Sequence, residues 1–466
     1  MLTLLAFSIA IFFIVHPITV RAGKRKIEMD YAWGSVIGAA IILLAGVLNP
    51  GQAWESLLGS QQFSPYTIII LFMALAYIAI SLDSTGFFEF VALKFIMHSG
   101  GDKRRLFLYF YLLSSIITLF TSNDIVILTL TPIIFYFGKH AKVRVFPYLI
   151  AEFFAANIWS MFLYIGNPTN IIVAMSEGLG FYEYSYWMVL PTIAAGLTCL
   201  GLLFLIFRKD ITGRFEIPKE IDPKHFIKDR GCAISTFSIF LMAMIMFIFS
   251  PFMNLELWWI SLVFAAALFL YDAVMAIGEH SNKELIFFRT FKRYVYHKET
   301  EIYQFRLHFI FDHMPWKIIP FLLSLFVMVE GLVAVGFTDM AASFITTLSP
   351  SVMASALSMG FLSSLAANVV NNQPMTILFT KIVGSPQFAL AGAARLASIY
   401  SVIIGSNLGA NLTLIGALAG IMWAKIVNDK EKIITYKRFA KYGFMIMPLV
   451  ILITCGILAI EFMLAG

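Results

Sequence analysis

Four short polar stretches interrupt otherwise apolar segments of the chain, and they carry the side chains best suited to chemistry. They are Thr-Ser-Asn-Asp at residues 121–124, Ile-Gly-Asn-Pro-Thr-Asn at 165–170, Asn-Val-Val-Asn-Asn at 368–372 and Ile-Gly-Ser-Asn-Leu-Gly-Ala-Asn at 404–411. Amides and hydroxyls offer hydrogen-bond donors and acceptors without formal charge. Backbone and amide groups cannot be left bare in hydrocarbon, so such breaks are tolerated only where they line a cavity or are buried in protein.

The breaks form two pairs, and paired broken segments in corresponding halves of a chain are typical of a secondary transporter's substrate site. Each break ends one half-helix and begins another, and Ser, Thr, Asn and Asp are favoured N-cap residues for the second half. The N-termini of half-helices present unpaired N–H groups and positive dipole ends. A small polyol-like or oxyanion solute fits such a site. The substrate-binding residues predicted from the breaks are Ser122, Asn123, Gly166, Asn167, Thr169, Asn170, Asn371, Asn372, Asn407 and Asn411.

Asp124 is the one carboxylate in the four breaks, since its repeat partner in the matching stretch 368–372 is Asn372. A carboxylate near mid-membrane is costly unless it is paired, protonated or bound to a cation. Burial favours its neutral form, whereas a cation or nearby N–H donors favour its charged form. A group that changes between these states suits proton coupling; the alternative is that Asp124 only caps its half-helix. Glu330 and Glu152 are further candidates for proton coupling, although Glu152 and Arg395 could instead neutralise each other.

The composition indicates a polytopic membrane protein. Hydrophobic residues make up 60% of the 466 residues and charged residues 13%, against roughly 25% charged in ordinary soluble domains. Three cysteines show no CxxC or Cys/His spacing, so we expect no disulfide framework, no metal site and no cofactor. No HExxH or GxSxG motif occurs, which disfavours an intramembrane enzyme. The net charge of +6 invites a nucleic-acid partner, but the distribution of the charges excludes one.

Ten apolar segments are candidate membrane helices, because a span needs about 20 apolar residues. They lie at 3–20, 32–49, 65–98, 145–180, 186–207, 232–250, 256–277, 316–346, 387–424 and 442–464. Six basic segments placed in the cytoplasm collect 30 of the 33 Lys and Arg residues, as the positive-inside rule requires. These segments are 21–30, 99–106, 139–145, 208–230, 278–317 and 425–441. The N-terminus is then outside.

Two further stretches, 106–138 and 350–383, are too long for one crossing and too short for two. Basic residues flank the first stretch on both sides, so we expect it to enter from the cytoplasm and return. By the same logic the second stretch re-enters from outside. Gly-Phe-Phe-Glu-Phe-Val-Ala at 86–92 is echoed by Gly-Phe-Thr-Asp-Met-Ala-Ala at 336–342, which indicates an internal repeat.

We therefore predict an all-α polytopic membrane protein made of two inverted repeats, with about ten transmembrane helices, two re-entrant hairpins and two broken helices. Repeat 1 covers 1–208, with its hairpin at 106–138 and its broken helix at 145–180; a cytoplasmic linker covers 209–230; repeat 2 covers 231–466, with its hairpin at 350–383 and its broken helix at 387–424. A cytoplasmic insert at 278–314 is predicted to be a surface helix lying on the membrane. The alternative for this insert is a regulatory or partner-docking role.

The motifs resemble those of the arsenite permease (arsenical pump membrane protein) family. The stretch from Thr121 to Ile133 is similar to that family's first hairpin, and Ile404 to Trp423 is similar to its most specific segment. The resemblance covers nearly the whole chain in order, apart from 278–314. It implies membership of a wider ion transporter superfamily whose members share inverted repeats and two hairpins.

The resemblance implies export of arsenite and antimonite in exchange for protons, sometimes assisted by a cytoplasmic arsenite-stimulated ATPase. It also implies a multi-pass protein of the bacterial or archaeal inner membrane. Trivalent arsenic is mostly the neutral trihydroxide near neutral pH, which needs hydroxyl and amide partners; Thr413 joins the predicted set on this ground. Cys199, Cys232 and Cys455 fall outside every motif, which argues against thiol capture.

Two alternatives within the superfamily remain open. A sodium/proton antiporter is also consistent with Asp124. A sodium-coupled dicarboxylate symporter is less consistent, because Asp124 would repel a dianion.

Overall fold

A computed structural model describes residues 2–16, 18–22, 25–59, 64–216, 227, 230–280, 294–297, 302–431 and 433–465. Helices dominate these residues. Two short antiparallel strand pairs also occur. Strand β1 (Ile18–Ala22) pairs with β2 (Arg25–Met29), with Ile18 opposite Met29, and β3 (Tyr294–His297) pairs with β4 (Ile302–Phe305), with Tyr294 opposite Phe305.

The described residues of the first half of the chain form ten α-helices. They are α1 (Leu2–Val15), α2 (Tyr31–Leu44), α3 (Pro50–Leu58), α4 (Pro65–Ser84), α5 (Phe87–His98), α6 (Lys103–Phe120), α7 (Asn123–Ala141), α8 (Phe146–Trp159), α9 (Pro168–Ser176) and α10 (Phe181–Phe207). Local sequence explains several starts. Asp30 caps α2, Asn49 and Gln52 form a capping box at α3, and Asp102 caps α6. The amides of Arg105 and Arg104 that Asp102 accepts also lower the pKa of its carboxyl.

Ten more helices occur in the part of the second half that the structure describes. They are α11 (Arg230–Met253), α12 (Leu257–His280), α13 (Arg306–His313), α14 (Ile318–Ala334), α15 (Phe337–Thr347), α16 (Val352–Val370), α17 (Asn372–Val383), α18 (Gly392–Gly409), α19 (Leu418–Lys430) and α20 (Tyr436–Ala465).

Seven helical segments among the described residues are long and apolar enough to cross a bilayer. They are Pro65–Ser84, Phe181–Phe207, Arg230–Met253, Leu257–Val274, Arg306–Ala334, Val352–Val370 and Tyr436–Ala465, and Leu5–Ile14 and Tyr31–Leu44 are shorter apolar helices. The chain is therefore an all-α membrane protein, as the sequence predicts. Val352–Val370 is the first arm of the predicted second hairpin, and by length and composition this arm alone could cross.

The order of elements repeats along the chain. In each half a long helix ends at a glycine with left-handed backbone, Gly86 (φ 80°) or Gly336 (φ 73°), which is the N-cap of a short helix, α5 or α15. L-residues with a Cβ rarely adopt this conformation, so glycine is required at both corners. The two glycines are the ones that begin the echoed sequence motifs.

Each short helix is followed by a pair of helices and then by an interrupted helix. The pairs, α6 with α7 and α16 with α17, pack against each other within the pair and are joined by one or two residues. In the interrupted helices, a 3₁₀ turn at Tyr164–Gly166 separates α8 from α9, and one at Leu414–Gly416 separates α18 from α19. A long helix, α10 or α20, closes each series. The two hairpin tips and the two breaks therefore occupy equivalent places in the two halves.

The insert at 278–314 is not the single surface helix that we predicted. Its described residues are the end of α12, the strands β3 and β4, and α13, whereas 281–293 and 298–301 lie outside the described residues. The aromatic and β-branched residues of 294–297 and 302–305 suit strands better than a helix.

By contacts the chain divides into two compact units, and each takes segments from both halves of the sequence. Unit 1 comprises Met1–Ile69, Phe153–Leu205 and Trp316–Gly466; unit 2 comprises Ile70–Glu152 and Ile206–Pro315.

In unit 1, α16 packs along α18, and α20 lies against both helices. A Cβ added at Gly405 would lie 1.8 Å from Ser363 Oγ, and one at Gly409 would lie 2.9 Å from the backbone of Ser364. The two helix backbones are therefore nearly in contact, in the way that small residues allow between membrane helices.

In unit 2, a buried ion pair holds the start of α13 to the interior. The Arg306 and Asp272 side chains, 17% and 1% exposed, lie 3.1 Å apart. Arg306 also donates to Ser84 Oγ at 2.9 Å and to Thr236 Oγ1 at 3.2 Å, and the Tyr77 hydroxyl donates to Asp272 at 2.9 Å. A buried charge requires such partners.

Candidate functional site

The first break owes its geometry to two asparagines and a glycine. Asn167 is the N-cap of α9, its side chain accepts the Thr169 amide at 3.2 Å, and Pro168 occupies the first helical position. The Asn170 amide donates to the carbonyls of Ser160 at 2.7 Å and Leu163 at 3.2 Å. These bonds satisfy carbonyls that the interrupted helix leaves without a helical partner. A Cβ at Gly166 would lie 2.2 Å from the Ser160 carbonyl oxygen, so only glycine fits there.

The tip between α16 and α17 lies against the second break. Asn371 has φ 74° and ψ 153°, a strained conformation that residues with a Cβ rarely adopt, and its amide donates to the Ile415 carbonyl at 3.1 Å. Asn368 donates to the Gly409 carbonyl at 2.8 Å and accepts from Thr413 at 2.6 Å. The second hairpin tip and the second break are therefore one hydrogen-bonded structure within unit 1.

Asn407 links the two breaks and uses its full hydrogen-bonding capacity. Its carbonyl oxygen accepts from Ser160 at 2.7 Å and from Asn167 at 2.9 Å. Its amide nitrogen donates to Asn170 and to the Ile403 carbonyl, both at 2.8 Å. An asparagine side chain makes four hydrogen bonds at most, and Asn407 is 0% exposed. Asn407 has no group left for a solute in this conformation.

A second bridge joins Asn157 to Asn411. The Asn157 amide donates to the Asn411 side-chain oxygen at 2.9 Å, and the Asn411 amide donates to the Phe154 carbonyl at 3.4 Å. The structure thus brings together Asn167, Asn170, Asn407 and Asn411 as expected. It adds Asn157 and Ser160, which the sequence analysis missed. Their signal was available, since both are polar residues just before the first break, Asn157 in α8 and Ser160 directly after it.

The half-helices α9 and α17 run parallel to each other and antiparallel to α18. Near their N-termini, Asn170 bonds Asn407 and Thr376 bonds Ser406 at 3.3 Å, so adjacent residues of α18 hold both. At their C-termini, Arg395 in the first turn of α18 donates to Glu177 at 3.1 Å and to the Val383 carbonyl at 2.9 Å. A cation at two helix C-termini is electrostatically favourable. Both positive dipole ends therefore lie at one level of α18, beside the breaks.

Some polar atoms at these N-termini have no partner within the described part of the chain. They are Thr169 Oγ1 and Gln373 Oε1, on the second residue of α9 and of α17. The two residues are 0% and 5% exposed. Buried polar atoms are nearly always hydrogen-bonded in native proteins, so these two have capacity left for a ligand or a water molecule. The Asn372 side chain likewise makes no hydrogen bond with a described residue.

The first hairpin tip belongs to unit 2. Ser122 is the N-cap of α7 by position but its side chain makes no capping bond; instead Asn123 accepts the amide of Asp124 at 3.0 Å. The Asp124 carboxylate is half-buried and has no hydrogen bond or ion pair with any described residue. Capping alone therefore does not account for Asp124.

The other predicted carboxylates have partners. Glu330 pairs with Lys381 at 2.9 Å, and Glu152, fully buried in unit 2, accepts from Thr131 at 2.8 Å. The suggested neutralisation of Glu152 by Arg395 is corrected: Arg395 pairs with Glu177 at 3.1 Å. The sequence analysis missed Glu177 because it follows the broken helix, outside every motif.

Cys199, Cys232 and Cys455 are free, buried thiols, and none lies in a break or a hairpin tip. No group of three His, Cys, Asp or Glu residues that could hold a metal ion occurs among the described residues. The polar side chains of the two breaks and the second hairpin tip are thus hydroxyls and amides.

Comparisons with known proteins agree with this architecture. The family model described as citrate transporter matches residues 10–286, and that of the arsenical pump membrane protein matches residues 304–462. Arsenical pump membrane proteins of Escherichia coli and Yersinia enterocolitica are 29% and 27% identical to the chain, and each alignment covers 93% of the chain and 94% of the relative. The solved YdaH transporter of Alcanivorax borkumensis has a similar fold, with a TM-score of 0.55 at 11% identity, over 100% of this chain and 97% of that one.

Proposed function

The chain belongs to the arsenical pump membrane protein family, and its first part to the citrate transporter family, so it is a membrane transporter and not an enzyme; from this premise we propose that it exports arsenite and antimonite from the cytoplasm in exchange for protons. The observation that carries the substrate is the named function of relatives aligned over 93% of the chain. The proposed cargo is the neutral trihydroxide.

The chemistry of unit 1 supports a neutral cargo. At the starts of α9 and α17, the described groups with free hydrogen-bonding capacity are a hydroxyl and two amides, on Thr169, Asn372 and Gln373. The cations of α17 and α18, Lys381 and Arg395, are engaged in ion pairs. A trihydroxide both donates and accepts hydrogen bonds, as this group of side chains does.

Seven of the predicted substrate residues fall into two groups. The first group holds the two breaks in shape, since its side chains are bonded to each other, to Asn157 or to the second tip; it comprises Asn167, Asn170, Asn407, Asn411 and Thr413. The second group, Thr169 and Asn372, contacts the substrate, with the backbone N–H groups at the starts of α9 and α17.

Asp124 is the proposed proton-coupling residue. An unpaired carboxylate on a membrane helix changes between a neutral and a charged form as the proton and other ligands come and go. Export in exchange for a proton requires one group whose protonation state determines whether the protein can bind its substrate. Glu330 and Glu152 are less suited, since each already has a hydrogen-bonding partner.

The proposed setting is a bacterial or archaeal inner membrane with the N-terminus outside. The two pairs of helices at 106–138 and 350–383 are proposed to be re-entrant hairpins of opposite orientation. A cytoplasmic ATPase is a possible partner at the basic loops, as the family resemblance implies.

A carboxylate transporter is the second candidate, because the citrate transporter model matches residues 10–286. A tricarboxylate needs counter-charges, and in unit 1 the positive ends of two half-helices offer only partial ones. A sodium/proton antiporter is the third, on the strength of Asp124 alone.

One experiment separates these candidates. A proton gradient is imposed on everted membrane vesicles that contain the full chain. The uptake of arsenite, citrate, succinate and sodium is then measured separately. We expect gradient-dependent arsenite uptake that vesicles without the protein lack. Uptake of citrate or sodium in its place would reject the arsenite proposal.

A further inference from the structure

Two orphaned oxygen atoms lie at the starts of two half-helices, one after the first break and one after the second hairpin tip. Thr169 and Gln373 are each the second residue of a half-helix that follows a break or tip, and each half-helix is capped by an asparagine, Asn167 or Asn371. Thr169 Oγ1 and Gln373 Oε1 are buried, and neither has a partner among the described residues. Gln373 was not among the substrate residues predicted from the sequence.

The two positions are close to each other. The third residue of α9, Asn170, and the fifth of α17, Thr376, bond to the adjacent residues Asn407 and Ser406. The two half-helices also pack against each other and run parallel. Thr169 and Gln373 therefore lie in neighbouring first turns, where both half-helices present their positive ends.

We infer that Gln373 and Thr169 together recognise the hydroxyl groups of the cargo, and that Gln373 Oε1 selects a neutral, hydroxyl-bearing solute over a carboxylate or a sodium ion. This inference rests on the proposed export of a trihydroxide and names the residues that confer its specificity.

Three kinds of cargo offer different groups to the same atoms. Gln373 Oε1 only accepts hydrogen bonds, so it needs a donor. A carboxylate has none to give, and its binding would leave this buried acceptor unpaired. A sodium ion could be coordinated by the oxygens, but the positive ends of α9 and α17 repel it. A neutral hydroxyl donates to Gln373 Oε1 and accepts from the N–H groups, so it satisfies both.

The test measures binding to the purified full chain through the rise in melting temperature that a ligand causes. The probes are arsenite, antimonite, citrate and sodium, each added at neutral pH. Arsenite and antimonite should stabilise the wild type. Gln373→Met keeps the side-chain length but removes the acceptor, and we expect it to need about ten to a hundred times more arsenite for the same rise. Thr169→Val should behave in the same direction.

Two variants serve as controls. Thr192→Val removes another fully buried, unpartnered hydroxyl of unit 1, in α10, and should leave arsenite binding unchanged. Gln373→Glu retains an acceptor at the same position and should restore arsenite binding lost in Gln373→Met. Melting temperatures without ligand show that each variant is folded.

The inference would be overturned if the melting temperature of Gln373→Met rose with arsenite concentration as that of the wild type does. It would also be overturned if citrate or sodium stabilised the wild type and arsenite and antimonite did not. The vesicle experiment keeps the two proposals apart. Arsenite binding that requires Gln373 without gradient-driven uptake would reject export alone; uptake with an unchanged KM in Gln373→Met would reject the role of Gln373 alone.

Discussion

At the scale of single residues, Asn372 and Asn407 carry the same amide in different surroundings. Asn407 makes four hydrogen bonds that join the two breaks, whereas the Asn372 side chain makes none with the described residues. An amide that is saturated stabilises the fold, and one that is not remains available to a ligand.

Alanine substitution should separate these two roles. Asn407→Ala removes the partner of the Asn167 side-chain nitrogen and of the Asn170 side-chain oxygen, and one acceptor of Ser160. The cost is about 1–3 kcal/mol for each buried group left unpaired. We expect a clear fall in its melting temperature in detergent. Asn372→Ala should melt like the wild type and lose most arsenite flux. An Asn372→Ala protein that transports normally would contradict the substrate role of this residue.

Asp124→Asn tests the coupling group. The substitution retains size and polarity but cannot release a proton, so arsenite flux in vesicles should lose its dependence on the imposed pH gradient. Asp429→Asn, at an exposed position on α19, is the matched control and should retain that dependence. Coupling that persists in Asp124→Asn would assign the proton to another group.

Sequence reasoning found the residues of the site more readily than their roles. Asn, Gly and Pro within an apolar run mark a break locally, so Asn167, Asn170 and Asn407 could be identified. The hydrogen bond between Asn407 and Asn167 could not be predicted, because 240 residues separate them and only the folded chain brings them together. For the same reason Arg395 was matched to the wrong partner.

At the scale of elements, the crossing of α16 and α18 places the second hairpin on the second break. Gly405 is at the closest point, where an added Cβ would lie 2.8 Å from the Gly360 carbonyl as well as 1.8 Å from Ser363. The backbone of a neighbouring helix cannot give way as a flexible side chain can.

Gly405→Val should therefore separate α16 from α18. We expect a melting temperature well below that of the wild type and loss of transport, since overpacking costs about 1–3 kcal/mol or more. Gly201→Ala on α10, where an added Cβ meets nothing within 4 Å, should be tolerated. Equal stability of the two variants would show that the helices can move apart freely.

The start of α13 depends on one ion pair, and Arg306→Leu should expose that dependence. It leaves Asp272 buried without its cation, and breaking a buried pair costs about 3–5 kcal/mol. The double variant Arg306→Leu with Asp272→Asn should recover part of the loss. Arg144→Leu, which breaks the exposed pair with Asp210, should cost about 0–1 kcal/mol. Thermal unfolding measures the stability of the three variants. If Arg306→Leu were as stable as the double variant, the unpaired Asp272 charge would carry no net cost.

At the scale of the whole molecule, the element order could be predicted because local signals repeat. Gly86 and Gly336 begin matching motifs, and the two breaks follow at matching places. The division into compact units could not be predicted, because each unit combines segments from both halves. The strands β3 and β4 were missed because the insert contains no turn signal that the sequence analysis used.

Labelling with an impermeant maleimide tests the predicted topology. A variant without Cys199, Cys232 and Cys455 should still transport arsenite, since these thiols lie outside the breaks. In that background, Thr347→Cys should react in intact cells and Lys209→Cys only after permeabilisation, because the first is predicted to be outside and the second inside. Both positions are exposed in the structure. The reverse pattern would invert the topology.

The bonds from Asn407 to Ser160 and Asn167 have a consequence for biosynthesis. The ribosome delivers the first break long before it makes residue 407, and until then the hydroxyl and amides of that break lack the groups that neutralise their polarity. During translation this segment must stay hydrated or shielded by the insertion machinery, and its final seating in lipid waits for the last quarter of the polypeptide. Products truncated before residue 407 would keep the polar groups of the first break unpaired. Membrane quality-control proteases remove products of this kind.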